Sequence, residues 1–336
     1  MQKYGAAAAG EAHMTHSLST WDEPAATIDW ARLGHVYVVG NGKGGVGKTT
    51  TSAHLSALVA SDGARTLLID LNGQGNCALL LGFANTERDD KGRNLFSAVT
   101  TGAPLTPVRN VRPNLDVVPG GAYVRRIVSV LSAEMSTKED AHRVHLALAQ
   151  CLQRIAGGYQ LIIIDTPPEN PLLSNIALCA GRFVIVPMRT DEYSRSGLRD
   201  IAADIRGMRE HNPYLMLLAV FVFGSGTGSK KIRRDIAQSV SADLGQSSDM
   251  LLDSFVRHAE SVANEMVKYG LLAHELEQEI QNNPKYWELR KGSAKNATTV
   301  SETSRLVAED FAKLAAEVLT RAAKRRGEMI EQGVWP

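Results

Sequence analysis

The sequence predicts an α/β fold, a doubly wound and mostly parallel β-sheet flanked by helices, and three observations lead to this prediction. First, five short segments are almost wholly apolar, as expected of strands that are covered on both faces: HVYVVG, RTLLID, YQLIIID, RFVIVP and YLMLLAVFVF. Second, segments of helical length lie between or beside them, at 48–61, 136–156, 171–180, 194–211 and 229–244. Third, strands that alternate with helices form right-handed units whose strands run parallel.

The remaining segments set the expected boundaries. NLDVVPGG at 114–121 predicts one more strand followed by a turn, and the chain after Asp253 is expected to be mainly helical. A long helix is predicted from about Ser301 to Arg326, because its apolar residues form one stripe: Leu306, Val307, Phe311, Leu314, Val318 and Leu319. We expect a flexible N-terminal arm at 1–33 with a short helix near Ile28 to Leu33, a single domain at 34–326 and a C-terminal tail at 327–336.

Composition narrows the class of protein. The 336 residues are 44% hydrophobic and 22% charged, which is ordinary for a globular protein. The net charge is +1, so any contact with a polyanion must come from a local basic patch. Cys77, Cys151 and Cys179 form no CxxC pair, and we interpret them as buried thiols of a reducing compartment rather than as a disulfide framework or a metal site. The lack of a signal-peptide pattern or a long apolar run predicts a cytoplasmic protein.

The segment GKGGVGKT at 42–49 matches the pattern G-x-x-x-x-G-K-[ST], directly after one predicted strand and directly before a helix. Glycines there let backbone N–H groups converge on phosphates, and the helix adds its positive N-terminal end. Lys48 is expected to reach the β- and γ-phosphates, and the Thr49 hydroxyl to ligate Mg²⁺. The fold class is therefore that of a phosphate-loop NTPase, with a nucleotide site formed by Gly42, Lys43, Gly44, Gly45, Val46, Gly47, Lys48, Thr49 and Thr50.

The loop carries a second lysine, Lys43, at a position where most phosphate loops need no charge. KGGVGKTT at 43–50 resembles the deviant Walker A motif of the ParA/MinD family of partitioning and positioning ATPases, and the resemblance extends from about 35 to 320. It implies that the nucleotide is ATP, that ATP binding joins two protomers into a homodimer, and that Lys43 contacts the phosphates bound by the other protomer. A cation in that place would also stabilise the charge of the phosphoryl-transfer transition state.

Two aspartates at strand ends complete the expected metal site. Asp165 ends the apolar run YQLIIID and looks like the Walker B aspartate, which can hold Mg²⁺ through a water molecule. The TPP that follows it, at 166–168, is expected to form the switch II turn. Asp70 ends RTLLID and matches the first aspartate of the family's switch I motif, near Mg²⁺. Thr49, Asp70 and Asp165 are therefore the predicted magnesium residues.

Switch I departs from the family pattern. Family members usually read D-x-D-P-Q-G-N, whereas this chain reads DLNGQGN at 70–76. Asn72 replaces the aspartate that orients the attacking water, and Gly73 replaces a proline, which loosens the segment. An asparagine can accept a hydrogen bond from water, but it cannot take a proton or supply negative charge. With Lys43, Lys48 and Asn72 as catalytic residues, we expect slow hydrolysis and a long-lived ATP state.

The resemblance also implies partners. ParA-like proteins bind double-stranded DNA without sequence preference as ATP dimers, and a ParB-like centromere-binding protein stimulates their release. Basic residues that could contact DNA phosphates are Arg189, after the strand FVIVP, and the cluster Lys230, Lys231, Arg233 and Arg234. An ordinary solvated charged surface remains open as the alternative for both. On the first interpretation the protein is a cytoplasmic, nucleoid-associated ATPase for plasmid or chromosome partition.

Three other functions are weighed against this one. A non-hydrolysing ATP-bound scaffold or regulator follows if Asn72 abolishes turnover. A MinD-like membrane switch would need a bulky apolar face and a basic flank at the extreme C-terminus, but the chain finishes RGEMIEQGVWP, so we expect no membrane partner. A relative of the nitrogenase iron protein would need cysteines placed to bridge a dimer, and the three thiols do not match that arrangement.

Overall fold

The computed structural model describes residues 27–168, 170–190, 192–225, 250–282 and 300–336. Within them the chain forms eight strands: β1 (Val36–Val39), β2 (Thr66–Asp70), β3 (Val108–Arg112), β4 (Leu115–Val118), β5 (Leu161–Asp165), β6 (Phe183–Met188), β7 (Met216–Ser225) and β8 (Leu251–Arg257). All belong to one sheet in the order β3-β4-β2-β5-β1-β6-β7-β8. Every pairing is parallel except that of the edge strand β3 with β4.

The described residues also contain ten α-helices: α1 (Lys48–Ser61), α2 (Asn76–Leu80), α3 (Arg93–Thr101), α4 (Val124–Glu134), α5 (Lys138–Leu152), α6 (Pro171–Ala180), α7 (Glu192–Met208), α8 (Glu260–Tyr269), α9 (Ala273–Glu279) and α10 (Thr303–Glu331). Helices α3 to α7 cover one face of the sheet, and α1, α2 and α8 to α10 cover the other. Every residue of β1, β2, β5 and β6 is buried. The two-sided burial and the parallel order confirm the predicted fold class.

Several helices lie where the sequence places them. The segments 48–61 and 171–180 are helical over those bounds, and the helix predicted at 194–211 is found at Glu192–Met208. In α6 the side chain of Asn170 accepts a hydrogen bond from Leu173 N, and Pro171 occupies the first turn, where its missing N–H costs nothing. The predicted helix at 229–244 lies outside the described residues.

The expectation of a mainly helical chain after Asp253 is wrong for the first residues, because Leu251–Arg257 forms β8. This strand lies at the edge of the sheet and is only partly buried, so it lacks the continuous apolar run of the central strands. Backbone N–H groups of Asp253 and Ser254 donate to the carboxylate of Glu317 on α10, each at 2.8 Å. Helix α10 thereby holds the edge strand in place.

The side of the sheet where the parallel strands begin is its amino edge, and the side where they end is its carboxyl edge. The two ends of the described chain meet at the amino edge. A 3-10 turn at Trp30–Leu33 leads into β1, and the last helix runs to Glu331, beyond the predicted end at Arg326. After it the Trp335 ring packs so closely on Gly34 that a Cβ there would lie 2.6 Å from it. None of the helices in the described ranges has both the length and the apolar character needed to cross a membrane.

Candidate nucleotide-binding site

The candidate nucleotide-binding site lies at the carboxyl edge of the sheet, where β1, β2 and β5 end side by side. Asp165 is the register partner of Val39 on one side and of Asp70 on the other. Because the carboxyl ends of parallel strands meet at one edge, residues far apart in sequence come together there. The loop that leaves β1 therefore runs directly over the two aspartates.

The loop at 40–47 is fixed by its glycines and by one asparagine. Gly45 and Gly47 adopt φ values of +70° and +87°, which residues with a side chain avoid, and a Cβ at Gly47 would also overlap the ring of Phe223. Asn41 is buried, donates from Nδ2 to Pro187 O at 2.8 Å and accepts the Lys43 N–H on Oδ1 at 2.9 Å. The loop is thus tied to the end of β6 and turns into α1 with the geometry of an anion cradle.

The two lysines of the loop, Lys43 and Lys48, are in contact with each other. Lys48 is buried, with 6% of its surface exposed, and its Nζ donates to the carbonyl oxygen of Lys43 at 2.6 Å. The aliphatic part of Lys43 faces α7, since a Cβ at Gly197 would lie 3.1 Å from Lys43 Cγ. Of the other predicted loop residues, Gly42 and Gly44 are exposed, Val46 is buried, and Thr50 borders the cavity described below.

Of the predicted magnesium residues, Thr49 and Asp165 are in contact, and a carboxylate oxygen of Asp70 lies within 4.8 Å of one of Asp165. Thr49 Oγ1 donates to Asp165 Oδ2 at 2.7 Å, and Ser52 Oγ donates to Asp165 Oδ1 at 3.0 Å. Asp70 accepts the backbone N–H of Asn72 at 2.8 Å and that of Cys77 at 3.2 Å. A hydroxyl beside two carboxylates is the oxygen donor set that Mg²⁺ prefers.

Electrostatics agrees with a cation at this position. Asp70 and Asp165 are both fully buried. Burial and the neighbouring Asp70 carboxylate raise the pKa of Asp165 to about 7. Burial likewise raises the pKa of Asp70 to about 6, against hydrogen bonds that act in the opposite direction. A divalent cation would remove the cost of keeping both groups ionised, so these residues fit the metal that the loop motif implies.

Asn72 is buried beside Asp70, and its side chain already has a structural task. Its Oδ1 accepts the Gln74 N–H at 3.0 Å, and its backbone carbonyl accepts the Gly121 N–H at 2.9 Å. Switch I is therefore closed into a turn by the asparagine itself. At Gly73, where the sequence suggested a loosened segment, the Arg125 Nε donates to the carbonyl oxygen at 3.1 Å.

A cavity of about 210 Å³ opens beside the loop. Its lining comes from the loop, the ends of β7 and β8, α8 and α10, and includes Gly45, Thr50, Arg189, Phe223, Gly224 and Val256. Arg189, selected from the sequence for DNA contact, thus lies next to the phosphate loop, and that selection stays a prediction. The cluster from Lys230 to Arg234 lies outside the described residues.

Sequence reasoning missed several residues that shape the site. Asn41 ties the loop to Pro187, Ser52 supports Asp165, and Phe223 packs under Gly47. Ser52 had a usable signal, because it follows Thr49 by three residues and so lies on the same face of α1. Asn41 and Phe223 had none, since their partners are brought to them by strands distant in sequence.

The site combines a glycine-rich loop at a strand end with a buried lysine and two aspartates. These features define a phosphate-loop nucleotide-binding protein. Residues 34–217, more than half of the chain, match the family of the AAA domain. The chain is 32% identical to the chromosome partitioning protein ParA of Caulobacter vibrioides over 213 residues, which are 62% of this chain and 76% of that protein. The chain therefore belongs to the ParA/MinD family of ATPases.

Two further similarities agree with this assignment. The sporulation initiation inhibitor protein Soj of Bacillus subtilis is 32% identical over 193 residues, which are 56% of this chain and 72% of that protein. Among solved structures, the ATP complex of a Cyanothece McdA variant superposes with a TM-score of 0.59 over 80% of this chain and 98% of its own. At 18% identity that structure supports the fold alone.

Proposed function

We propose that the chain is a ParA-like ATPase for plasmid or chromosome partition, which binds ATP and Mg²⁺ and works as an ATP-dependent homodimer. The observation that carries this proposal is the pair of lysines in one loop. Lys48 is buried against the Lys43 carbonyl, so its ammonium group belongs to the phosphate site of its own protomer. Lys43, on the same loop, is the residue that an ATP dimer would bring to the phosphates of the other protomer.

The parts of ATP have separate places in the site. The loop at 40–47 and the start of α1 receive the phosphates. The adjoining cavity, with Phe223 and Val256 as apolar walls and Arg189 as a cation, receives the adenosine. Thr49, Asp70 and Asp165 hold Mg²⁺, which when bound neutralises charge on the phosphates.

Hydrolysis depends on three side chains of this chain. Lys48 stabilises the charge that develops on the transferred phosphoryl group, and Lys43 adds a second cation from across the dimer. Asn72 lies within the switch turn and can orient a water molecule with the second lone pair of Oδ1, because the Gln74 N–H uses the first. Without a carboxylate at this position turnover is slow, and the ATP-bound state is long-lived.

In the proposed cycle the ATP dimer binds double-stranded DNA without sequence preference, and a ParB-like protein triggers release. Dimerisation doubles the number of basic residues that face DNA, so the affinity should fall steeply with salt. Arg189, Lys230, Lys231, Arg233 and Arg234 are the proposed contacts. On this proposal the protein is cytoplasmic and associated with the nucleoid.

The experiment is ATP turnover by the full chain with non-specific DNA present, for wild type, Lys43→Ala, Asn72→Asp and Lys313→Ala. Lys313 is an exposed lysine of α10 paired with Glu309, and it serves as the control for loss of a charge. We expect slow turnover in wild type and in Lys313→Ala, none in Lys43→Ala, and faster turnover in Asn72→Asp. Full activity in Lys43→Ala would overturn the role of the second lysine.

A second candidate function is a non-hydrolysing ATP-bound scaffold. One observation favours it: the Gln74 N–H already occupies one lone pair of Asn72 Oδ1, the only acceptor atom of that side chain, and holds the side chain within the switch turn. In the same experiment this function predicts an inert wild type and turnover that appears only in Asn72→Asp. A MinD-like membrane switch finds no such support, since Trp335 packs on Gly34 and Arg182 rather than standing out from the end of the chain.

A further inference from the structure

Three histidines and a glutamate meet where α5 contacts the segment that follows α7. His142 and His145 are three residues apart and share one face of α5, and His211 comes just after the end of α7. His211 Nδ1 lies 2.7 Å from His142 Nδ1, and His211 Nε2 lies 3.1 Å from His145 Nδ1. Glu210 Oε1 lies 3.2 Å from the same His211 Nε2. None of these four residues is part of the nucleotide site, so the group is a separate feature of the fold.

Three atoms of this group have the spacing of metal ligands: His145 Nδ1, His211 Nε2 and Glu210 Oε1. In a tetrahedral site with bonds of about 2.0 to 2.1 Å to nitrogen and oxygen, neighbouring ligand atoms lie roughly 3.3 Å apart. The distances from His211 Nε2 to the other two atoms, 3.1 Å and 3.2 Å, are already close to that value. The Glu210 carboxylate has only to turn towards His145 to complete the set, and it is free to do so because the side chain is 75% exposed.

His142 has the position of a residue that orients a metal ligand. A histidine that binds a metal through one ring nitrogen commonly donates its other N–H to a neighbouring acceptor, which fixes the ring and its tautomer. At a separation of 2.7 Å, one proton lies between His211 Nδ1 and His142 Nδ1. With that proton on His211, the lone pair of its Nε2 is available to a metal ion between His145 and Glu210.

The two imidazole ligands are held in place, and the carboxylate leaves an entry. His145 is 8% exposed, and the His211 side chain is 9% exposed. The next residue, Asn212, is buried and donates from Nδ2 to Gly181 O at 2.6 Å, so the segment that carries His211 is fixed to the end of α6. The exposed Glu210 side chain lies on the solvent side of the group. An ion can therefore reach the two rings without unfolding of a helix.

We propose that His145, His211 and Glu210 form a site for a divalent transition metal of the zinc, nickel and copper class, with His142 as a positioning residue. Imidazole nitrogen suits these ions, whereas magnesium prefers oxygen ligands. Both ligating rings bind as neutral imidazoles, and His145 carries its proton on Nε2 when Nδ1 bonds to the metal. The proposal goes beyond the ATPase function and does not depend on it.

A metal at this group would join two distant parts of the chain. His145 and His211 are 66 residues apart in sequence, and the unfolded chain does not hold them together, so the bound ion stabilises the folded state. Helix α7 ends beside His211, and its Gly197 faces Lys43 of the phosphate loop. The ion therefore anchors the far end of the helix that packs on that lysine.

The test is a calorimetric titration of the full chain with Zn²⁺ in excess Mg²⁺, on protein purified without a histidine tag. The proteins compared are wild type, His145→Gln, His211→Gln and the control His35→Gln. His35 bonds to Ala156 O, a contact that a glutamine can replace. Any other metal site is the same in all four proteins, so the difference between them reports this group.

Wild type and His35→Gln should each bind about one equivalent of zinc that the other two variants bind about 100-fold more weakly or not at all. The same ion should raise the unfolding temperature of wild type and of the control alone. Identical zinc isotherms for wild type, His145→Gln and His211→Gln overturn the proposal, and so does a wild type that binds no zinc.

His142 is tested by rescue. His142→Leu should lower the zinc affinity about tenfold or more without a change in stoichiometry, because His211 loses the acceptor for its Nδ1–H. His142→Gln keeps an acceptor oxygen and should recover most of the affinity. Equal zinc affinities for the leucine variant and wild type would contradict the positioning role.

Electron paramagnetic resonance with Cu²⁺ identifies the ligands directly. The spectrum of wild type should show coupling to two imidazole nitrogens, and each ligand variant should lose one of them. Coupling to two nitrogens that persists in both variants places the copper elsewhere on the chain and overturns the proposal. Circular dichroism shows whether each variant is folded, and His145→Leu and His211→Leu replace the glutamine variants if these are not.

Discussion

Both the carboxyl edge and the amino edge of the sheet bury charged side chains, but the carboxyl edge buries two acidic groups and the amino edge buries a basic one. At the carboxyl edge, Asp70 and Asp165 are buried side by side, and the pKa of each is raised because burial favours the neutral acid. At the amino edge, the Arg182 guanidinium lies 4.1 Å from the Trp335 ring and 5.0 Å from the Tyr214 ring, and burial lowers its pKa to about 10.

The difference lies in what compensates each charge. Arg182 is stabilised by aromatic rings of its own chain, although its Nε and Nη1 atoms lack a hydrogen-bond partner in the structure. The two aspartates are held by hydroxyl and N–H donors, next to a loop and a cavity that open to solvent. The amino edge is closed by the termini of the described chain, whereas the carboxyl edge is shaped for a cation and an anion from outside. One edge stabilises the fold, and the other carries the candidate nucleotide site.

The largest expected effect comes from removing the buried ammonium group of the binding edge. In Lys48→Ala we expect ATP affinity to fall by about 100-fold or more, because a charge-assisted contact to phosphate is lost. Wild type should gain about 2.7 kcal/mol of unfolding free energy when ATP is present at 100 times its dissociation constant, and the variant should gain almost none at that concentration. Thermal or chemical denaturation with and without ATP measures both.

Lys313→Ala should keep the full ATP-dependent gain, since this exposed lysine lies on α10 away from the phosphate loop. If Lys48→Ala is stabilised by ATP as much as wild type is, the assignment of the binding edge is wrong.

The second prediction concerns a side chain of the amino edge, where we expect a loss of stability and no loss of ATP binding. Trp335→Ala should lower the free energy of unfolding by about 2 kcal/mol, because Arg182 loses one of its aromatic partners and Gly34 loses its contact. ATP affinity should not change, since the ring lies at the opposite end of the strands. Urea denaturation and ATP binding, measured on the same variant, separate the two. A parallel loss of ATP affinity would show that the edges are coupled rather than independent.

The smallest effect is the pH dependence that His54, on the binding side, contributes to stability. His54 on α1 is buried, accepts the Ala273 N–H on Nε2 and bonds through Nδ1 to Thr50 O at 2.7 Å. Burial lowers its pKa to about 3, from 6.5 in the unfolded chain. Its contribution to stability is therefore complete above pH 6.5 and is lost as the pH falls towards 3, by up to about 1.4 kcal/mol per pH unit.

The check is urea denaturation of wild type and His54→Asn between pH 7 and pH 5.5. Asparagine cannot take up the proton, so the variant should lose less stability than wild type on acidification, although it starts lower. Equal slopes for the two proteins would contradict the assignment to His54. His35, next to β1 at the amino edge, has a pKa that burial also lowers, but it is present in both proteins and cancels in the comparison.

The main residues of the carboxyl edge could be predicted from the sequence, whereas the contacts of the amino edge could not. Asp70 and Asp165 could be placed together because each ends an apolar run, and such runs end at one edge of a parallel sheet. Lys48 and Thr49 follow from a loop motif whose residues are neighbours in the chain. By contrast, Arg182 contacts Met329 across 147 residues, and Asn41 contacts Pro187 across 146. Single side-chain contacts at such separations leave no local pattern.

The outer strands were harder to predict for a related reason. The central strands are buried on both faces and read as apolar runs, but β8 is half exposed and β3 carries Arg109 and Asn110 on its exposed part. A strand of this kind resembles a surface helix or a loop in composition. Its existence is decided by what packs on it, here α10 for β8 and the Asp116 carboxylate for the Asn110 N–H.

These two outer strands also determine how copies of the protein can assemble. On β8 the carboxylates of Glu317 and Asp310 accept backbone N–H groups that an incoming strand would need, and β3 is interrupted by a register shift and by Asn110 at φ +48°. Both margins of the sheet are thereby closed to continuation from one molecule into the next. As far as the described residues show, a polymer of this protein would therefore grow through contacts between loops and helices rather than by the addition of strands to the sheet.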